Sequence, residues 1–240
     1  MIGVIIYHKN ILNLYEINWI EKCLDSIKNQ TLNSFRVYEI DYGNSNLCLS
    51  QNYFKDYKFY SKEMSNHAEA INFLFDEIIN DVEIDCVANI NLDDYYDLDR
   101  FELQYEKIKE GYDIISSNFR VFVQNGFKIN FIENLNFAKK DILEEFFKDH
   151  NIIAHPVVMY SINFVKNNRY IPSDIPKEDF NLWKRTISKY KYIIMDEFLL
   201  NYRKHNSQIT QMKNNTDLCV CGEIKRKYLY NYCPKCETLY

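Results

Sequence analysis

The stretch "DCVANINLDDYYDLDRFELQYE" (residues 85–106) runs from an apolar segment, through four aspartates, into a segment of helical character. "DCVANINL" (85–92) reads as a strand, and "DRFELQYEKIKEG" (99–111) as a helix stopped by Gly111. Asp93, Asp94, Asp97 and Asp99 crowd the junction, and such carboxylates repel one another unless water, a cation or hydrogen-bond donors hold them. Two readings stay open from these residues alone. Aspartate suits turns, N-caps and the positive end of a helix dipole, so the run is an exposed turn with an acidic helix start. Alternatively, it is a divalent-metal site at the end of a strand.

The flanking sequence bears on that choice. "GVIIY" (3–7) is a β-branched run suited to a strand buried on both faces, and "NWIEKCLDSIKNQ" (18–30) sets Trp19, Ile20, Cys23, Leu24 and Ile27 on one helical face. "FRVYEIDYGNSN" (35–46) reads as a second strand ending in a turn, and "KFYSKE" (58–63) as a short third. "SNHAEAINFLFDEIIN" (65–80) begins with capping residues and continues as a helix. The first hundred residues thus alternate strand and helix, which favours an α/β domain with a mostly parallel sheet. Ligands of such sheets bind outside the carboxyl ends of the strands, where Tyr7, His8, Asp41 and Asp93 all fall. Their convergence favours the metal-site reading of the acidic run.

Downstream, "YDIISSNFRVFVQNGFKINFI" (112–132) predicts strands joined at Asn125-Gly126. A helix is expected over 139–151, a strand over 154–160, an amphipathic helix over 173–190 and further strand over 191–205. The hydrophobic share of 47%, with 16% aromatic, supports a packed core rather than disorder. A formal charge of −5 gives no reason to expect a nucleic-acid binder. No apolar run approaches the roughly 20 residues that span a bilayer, and "MIGVIIYHKN" has no basic leader. A cytoplasmic protein without a membrane span is expected.

These pieces resemble the family 2 glycosyltransferases, inverting enzymes of the GT-A fold. The resemblance covers about residues 1–210 and rests on "VIIYHKN", "WIEKCLDSIKNQTLNSFRVYEIDYGNSN", "NINLDDYYDLDRFE", "KEDFNLWKR" and "YRKHNSQIT" in the family's order. It implies a GT-A (Rossmann-like) sheet, mixed but mostly parallel and flanked by helices. Residues 1–98 would form the nucleotide-sugar half, 99–210 the acceptor half, and 211–240 a linker and tail.

The resemblance also implies roles. Tyr7, His8 and Asn10 would border the base and ribose. Asp41 would accept a hydrogen bond from a uracil-type imide, a role suited to an acceptor-only carboxylate; read from its neighbours alone, it is equally an Asx-turn before Gly43. The family's Asp-x-Asp element maps onto Asn91-Leu92-Asp93, with Asp93 holding Mn²⁺ or Mg²⁺ against the donor diphosphate. Asn91 departs from the usual carboxylate and would bond a ribose hydroxyl, while Asp94 is the substitute ligand if the register slips by one. Asp97 and Asp99 are left as turn and N-cap residues. Asp179 would be the general base, with Glu178 beside it, although acids at a helix start also suit the macrodipole. His205 is a candidate metal ligand, or an ordinary surface histidine. Arg203 and Lys204 would contact phosphate or face solvent, and His155 would line the acceptor side. His67 and His150 carry no signal.

The tail "CVCGEIKRKYLYNYCPKC" places Cys219, Cys221, Cys233 and Cys236 in two close pairs resembling a zinc ribbon. Four thiolates suit structural Zn²⁺, and a segment this short has too little core to fold unaided. Paired disulfides are the alternative, suited to a secreted chain. The leading function is metal-dependent inverting transfer from a nucleotide-diphosphate sugar, with a UDP-sugar as the expected donor. A binding module that has lost catalysis is the alternative that Asn91 keeps open. A nucleotidyltransferase would want a glycine-rich basic loop after the first strand, and "YHKNILNLYE" supplies none.

Overall fold

A computed structural model describes residues 1–126, 128–205 and, in the tail, four two-residue strands. The chain forms β1 (Ile2–His8), α1 (Ile11–Leu14), α2 (Ile17–Lys28), β2 (Phe35–Asp41), β3 (Tyr57–Ser61), α3 (His67–Ile79), β4 (Cys86–Asn89) and β5 (Tyr95–Tyr96). There follow α4 (Arg100–Lys109), β6 (Ile114–Asn125), β7 (Lys128–Leu135), α5 (Ile142–Phe147), β8 (Met159–Ser161), α6 (Ile162–Asn167), α7 (Glu178–Thr186) and β9 (Tyr192–Arg203).

One sheet runs through both halves in the order β3-β2-β1-β4-β8-β6-β9-β5, with β7 paired to β6. The first four strands are parallel, as expected. The second half is not: β8 runs antiparallel to both neighbours, β5 antiparallel to β9, and only β6 and β9 pair in parallel. The sheet is therefore mixed, and the expectation of a mostly parallel sheet holds for the first half alone. β6 and β7 are joined as a hairpin, whereas α4, α5 and the α6–α7 pair carry the chain between the other strands and return it in either direction.

Both faces are covered. Ile2, Val4 and Ile6 of β1 pack with Ile20, Leu24 and Ile27 of α2, while Ile5 faces Ile71, Leu74 and Phe75 of α3. This is why "GVIIY" shows no polar alternation. Within the acidic stretch, α4 is pinned to the sheet by polar groups. The fully buried Arg100 donates to the Asn89 carbonyl (2.9 Å) and to Gln104 Oε1 (3.0 Å). Gln104 in turn donates to the carbonyls of Ile115 (3.2 Å) and Val157 (2.7 Å).

Three elements went unread in the sequence. Tyr95–Tyr96 forms the short strand β5 inside the presumed turn, α1 follows β1 at once, and α6 follows β8. The strand expected over 154–160 begins only at Met159, because residues 155–157, which include Pro156, form a 3₁₀ turn. Asp99 occupies the N-cap position of α4, but its side chain makes no capping bond. In the tail, Asp217–Leu218 pairs with Ile224–Lys225 and Tyr232–Cys233 with Thr238–Leu239, each antiparallel. Cys219, Cys221, Cys236 and the side chain of Cys233 lie outside the described residues, and with them the zinc expectation. Among the described residues, no helix is long and apolar enough to cross a membrane.

The loop after β2 is organised by two carboxylates on one face of the strand. Glu39 is fully buried and accepts the backbone N–H groups of Leu49 and Ser50 (both 2.7 Å), with His8 Nε2 at 2.9 Å. Asp41, also fully buried, accepts from the backbone of Gly43 (3.0 Å), Ser45 (2.7 Å) and Leu47 (3.3 Å) and from the Ser45 hydroxyl (2.6 Å). Burial alone would raise the Asp41 pKa, but the donors from Ser45, Gly43 and Leu47 outweigh it and hold the carboxyl below its ordinary value. Glu39→Ala strands these buried donors together with His8 and should lower stability by about 3–5 kcal/mol in urea unfolding. A loss below about 1 kcal/mol would show that water replaces the carboxylate.

Candidate active site

The carboxyl ends of β1 and β4 open into a cavity of about 640 Å³. Tyr7, His8, Asn10, Asn91, Asp93, Glu178 and Asp179 all border it, although more than 160 residues separate the first from the last. Parallel strands deliver the first five residues to one edge of the sheet. The start of α7 brings the other two.

Asp93 is nearly buried, and its Oδ2 lies 3.0 Å from His205 Nε2. The His205 ring is boxed by Trp19 (centroids 4.9 Å apart) and Tyr15 (5.3 Å, edge-on). His205 is thus set against Asp93 rather than free on the surface. Asp94 is turned inward: its Oδ1 accepts the Arg203 backbone N–H at 2.7 Å, and it does not border the cavity. Burial, then the neighbouring Asp93 charge, raise its pKa well above the ordinary carboxylate value. The structure therefore corrects the fallback assignment of Asp94 as a cavity-facing ligand. Arg203 is corrected as well. It is fully buried, donates from Nε to the Asp93 carbonyl at 2.7 Å, and lies between the rings of Trp19 and Phe122.

Asn91 Oδ1 accepts from the Tyr7 hydroxyl at 3.1 Å. The His8 ring, expected at the base and ribose, is buried and turned onto Glu39, so it supports the loop from behind. Asp41 likewise sits beneath the cavity rather than on its lining, and realises the Asx-turn geometry in full.

Among the described residues, no group of three or more His, Cys, Asp or Glu side chains is arranged to hold a metal. Asp93 and His205 form a two-member oxygen and nitrogen set. That set would suit a divalent ion such as Mn²⁺ or Mg²⁺.

Also on the cavity lining, Asp179 Oδ2 accepts from Asn151 Nδ2 (3.1 Å) and Oδ1 from the Phe180 backbone N–H (2.6 Å). Burial, then the adjacent Glu178 charge, push the Asp179 carboxyl up to about 6. Glu178 behaves oppositely. Burial works to raise it, but the hydrogen bond and charge of His67 win and lower it. His67 Nε2 lies 2.7 Å from Glu178 Oε1, and its ring stacks on Tyr7 with centroids 6.5 Å apart. His67 and Asn151 were both missed in the sequence. The available signal for His67 was its position at the first turn of α3, a helix start that points toward the strand ends. His155 borders the cavity, with Nε2 at 2.9 Å from the Tyr170 hydroxyl.

Residues 4–169 match the family described as Glycosyl transferase family 2. The O-antigen biosynthesis glycosyltransferase WbnJ of Escherichia coli is 25% identical over 199 residues, covering 78% of this chain and 75% of that protein. The uncharacterized glycosyltransferase MJ1057 of Methanocaldococcus jannaschii is 26% identical over 221 residues, covering 89% and 72%. Among solved structures, S. aureus TarS 1-349 in complex with UDP-GlcNAc superimposes with a TM-score of 0.64 at 15% identity, over 89% of this chain and 62% of that one. The mannosyltransferase PcManGT from Pyrobaculum calidifontis, in complex with GDP-Man and Mn2+, gives 0.56 at 12% identity, over 85% and 56%. This chain thus spans about three fifths of the length of these structural relatives, and the superpositions speak to fold.

The two acids of α7 can be separated by titration. Carboxyl NMR should place the Asp179 midpoint near 6, and Glu178→Gln should lower it by removing the adjacent charge. Because the folded state binds the Asp179 proton more tightly than the unfolded chain, this group favours folding at low pH, and that contribution is lost as pH rises through about 6. The stability difference between Asp179→Asn and the parent should therefore move in the variant's favour between about pH 4 and about pH 6. A pH-independent difference would contradict the elevated pKa.

Proposed function

The chain belongs to glycosyl transferase family 2, and from that premise we propose that it transfers a sugar from a nucleotide-diphosphate donor, a UDP-sugar, to an acceptor hydroxyl with inversion at the anomeric carbon. The observation that carries this reading is one cavity bordered both by Asp93, with His205 behind it, and by Asp179, whose proton affinity suits a base. UDP-GlcNAc in the S. aureus relative supports the choice of donor class.

In this reading Tyr7 and Asn10 border the nucleoside, and Asn91, oriented by the Tyr7 hydroxyl, offers its amide to the ribose. Asp93 and His205 would hold Mn²⁺ or Mg²⁺, which supplies charge neutralisation for the diphosphate. Asp179 takes the proton of the acceptor hydroxyl as its oxygen bonds to the anomeric carbon. The anomeric C–O bond to the diphosphate breaks, and its electron pair leaves with the nucleoside diphosphate. Asn151 and the Phe180 N–H fix the carboxylate's orientation, so little reorganisation accompanies proton transfer. Glu178, kept ionised by His67, holds the proton affinity of Asp179 up. Asn91 favours one second reading, a donor-binding module without turnover, because an amide adds no charge beside Asp93.

Calorimetric titration with a panel of UDP-sugars, with and without Mn²⁺, tests the donor site. Metal-dependent binding that disappears in Asp93→Ala is the expected result; binding indifferent to both would remove Asp93 from its role. For the chemical step, kcat should rise with pH through about 6 and level off above it, since the base must be ionised. Asp179→Asn should cost about 10²–10⁴-fold in kcat with donor affinity retained. Donor binding with neither transfer nor donor hydrolysis in the unsubstituted protein would select the binding module.

A further inference from the structure

Three aromatic rings that border the cavity have no part in the donor chemistry or proton transfer above. They are Phe119 of β6, Phe137 after β7 and Tyr202 of β9, all half-buried. Phe119 lies between the others, its centroid 5.9 Å from Phe137 at 52° and 5.8 Å from Tyr202 at 60°. The wall is fixed from beneath by the fully buried Asn118. Its Oδ1 accepts the backbone N–H groups of Phe137 (2.7 Å) and Ala138 (3.1 Å), and its Nδ2 donates to the Asp196 carbonyl (2.8 Å). With both ends of the amide engaged, the segment carrying Phe137 is held against β6 and β9. The rings pack against the core on one side and border the cavity on the other, so the surface they offer is preorganised.

The charge around the cavity is one-sided. Asp93, Glu178 and Asp179 border it. Among the described lining residues Lys9 is the one lysine or arginine, and its Nζ lies 2.7 Å from Glu63 Oε1. Burial pushes the His155 imidazole down to about 4, so it is neutral near pH 7. A divalent ion can neutralise a donor diphosphate at Asp93. An anionic group on the acceptor would meet carboxylates with no comparable counter-charge on the described lining. A neutral pyranose meets no such penalty. Its C–H face carries slight positive charge and settles on the negative face of an aromatic ring, leaving its hydroxyls for polar partners.

We propose that Phe119, Phe137 and Tyr202 form the acceptor platform, and that the acceptor is an uncharged saccharide lying against these rings with one hydroxyl at Asp179. The proposal rests on the transferase reading and adds the acceptor's chemical class to it.

The full-length protein, with UDP and Mn²⁺ present, is tested for binding to immobilised neutral oligosaccharides, carboxylated or phosphorylated oligosaccharides, and serine- or threonine-containing peptides. UDP-sugar affinity is followed separately by calorimetry. Binding should be confined to neutral saccharides. Phe119→Leu and Phe137→Leu, which keep apolar bulk but lose the ring face, should each weaken it about tenfold while donor affinity is retained. Phe147→Ala removes a ring that is 90% exposed and outside the cavity lining, and should change neither. Preference for charged saccharides or peptides, no saccharide binding, or leucine variants that bind like the parent would overturn the proposal, with donor binding still standing. Failure of the unsubstituted protein to bind any UDP-sugar would overturn the transferase reading and this proposal with it.

Discussion

The Arg203 clasp on the Asp93-Asp94 turn is the contact on which the site depends. Arg203 gives its backbone N–H to the Asp94 carboxylate and its Nε–H to the Asp93 carbonyl, both at 2.7 Å. A fully buried guanidinium is costly without acceptors, and the Asp93 carbonyl, Gln124 Oε1 and the faces of Trp19 and Phe122 offset that cost. The clasp also divides two adjacent aspartates. Asp94 is drawn into the interior, where burial favours its protonated form, and Asp93 is left at the cavity beside His205. Two ionised carboxylates at this junction would repel; one held inward and one facing the cavity do not.

The same division recurs at α7. Glu178 and Asp179 are sequence neighbours with opposite shifts, and the difference comes from their partners. His67 offers Glu178 a charge-capable hydrogen bond, whereas Asp179 has neutral donors and the Glu178 charge beside it. A pair of acids whose environments push their proton affinities apart is the arrangement expected where one must stay ionised and the other must exchange a proton. On β2, Glu39 and Asp41 accept from loop backbone instead. Glu39 and Asp41 thus act as scaffold for the loop, whereas Glu178 and Asp179 border the cavity.

The sequence was most legible where the code is local. The unbroken apolar runs of β1, β2 and β4 follow from burial on both faces, and the periodicity of α2, α3 and α7 from period-3.6 burial. All six elements are present, although β4 (Cys86–Asn89) and α7 (Glu178–Thr186) are about half as long as the stretches 85–92 and 173–190 suggested. The strand ends then placed Tyr7, Asn10, Asn91 and Asp93 at one cavity without further information. What stayed hidden was set by contacts across the chain. β5 is two residues long and exists because β9 pairs with it. His67 gains meaning only from Glu178, 111 residues away. His8 and Asp41 had the right address but turn to the interior: Asp41 accepts from the backbone of the loop after β2, and the His8 ring is held by Glu39, which accepts from the same loop. Antiparallel pairing in the second half was equally invisible, since hydrophobic runs do not encode direction.

The pairing of β5 with β9 has a consequence for how the protein comes to be. Tyr95 meets Asn201 and Tyr96 meets Leu200, so a loop of about a hundred residues must close before that pair forms. The parallel strands of the first half can assemble soon after they are made; the turn carrying Asp93 cannot be clasped until Arg203 has been synthesised. Contacts this far apart in sequence form slowly and late. The Asp93 carboxylate is therefore among the last features to reach its native geometry, and a nascent or misfolded chain presents a scaffold without a finished cavity. Completion of the fold and competence for chemistry arrive together.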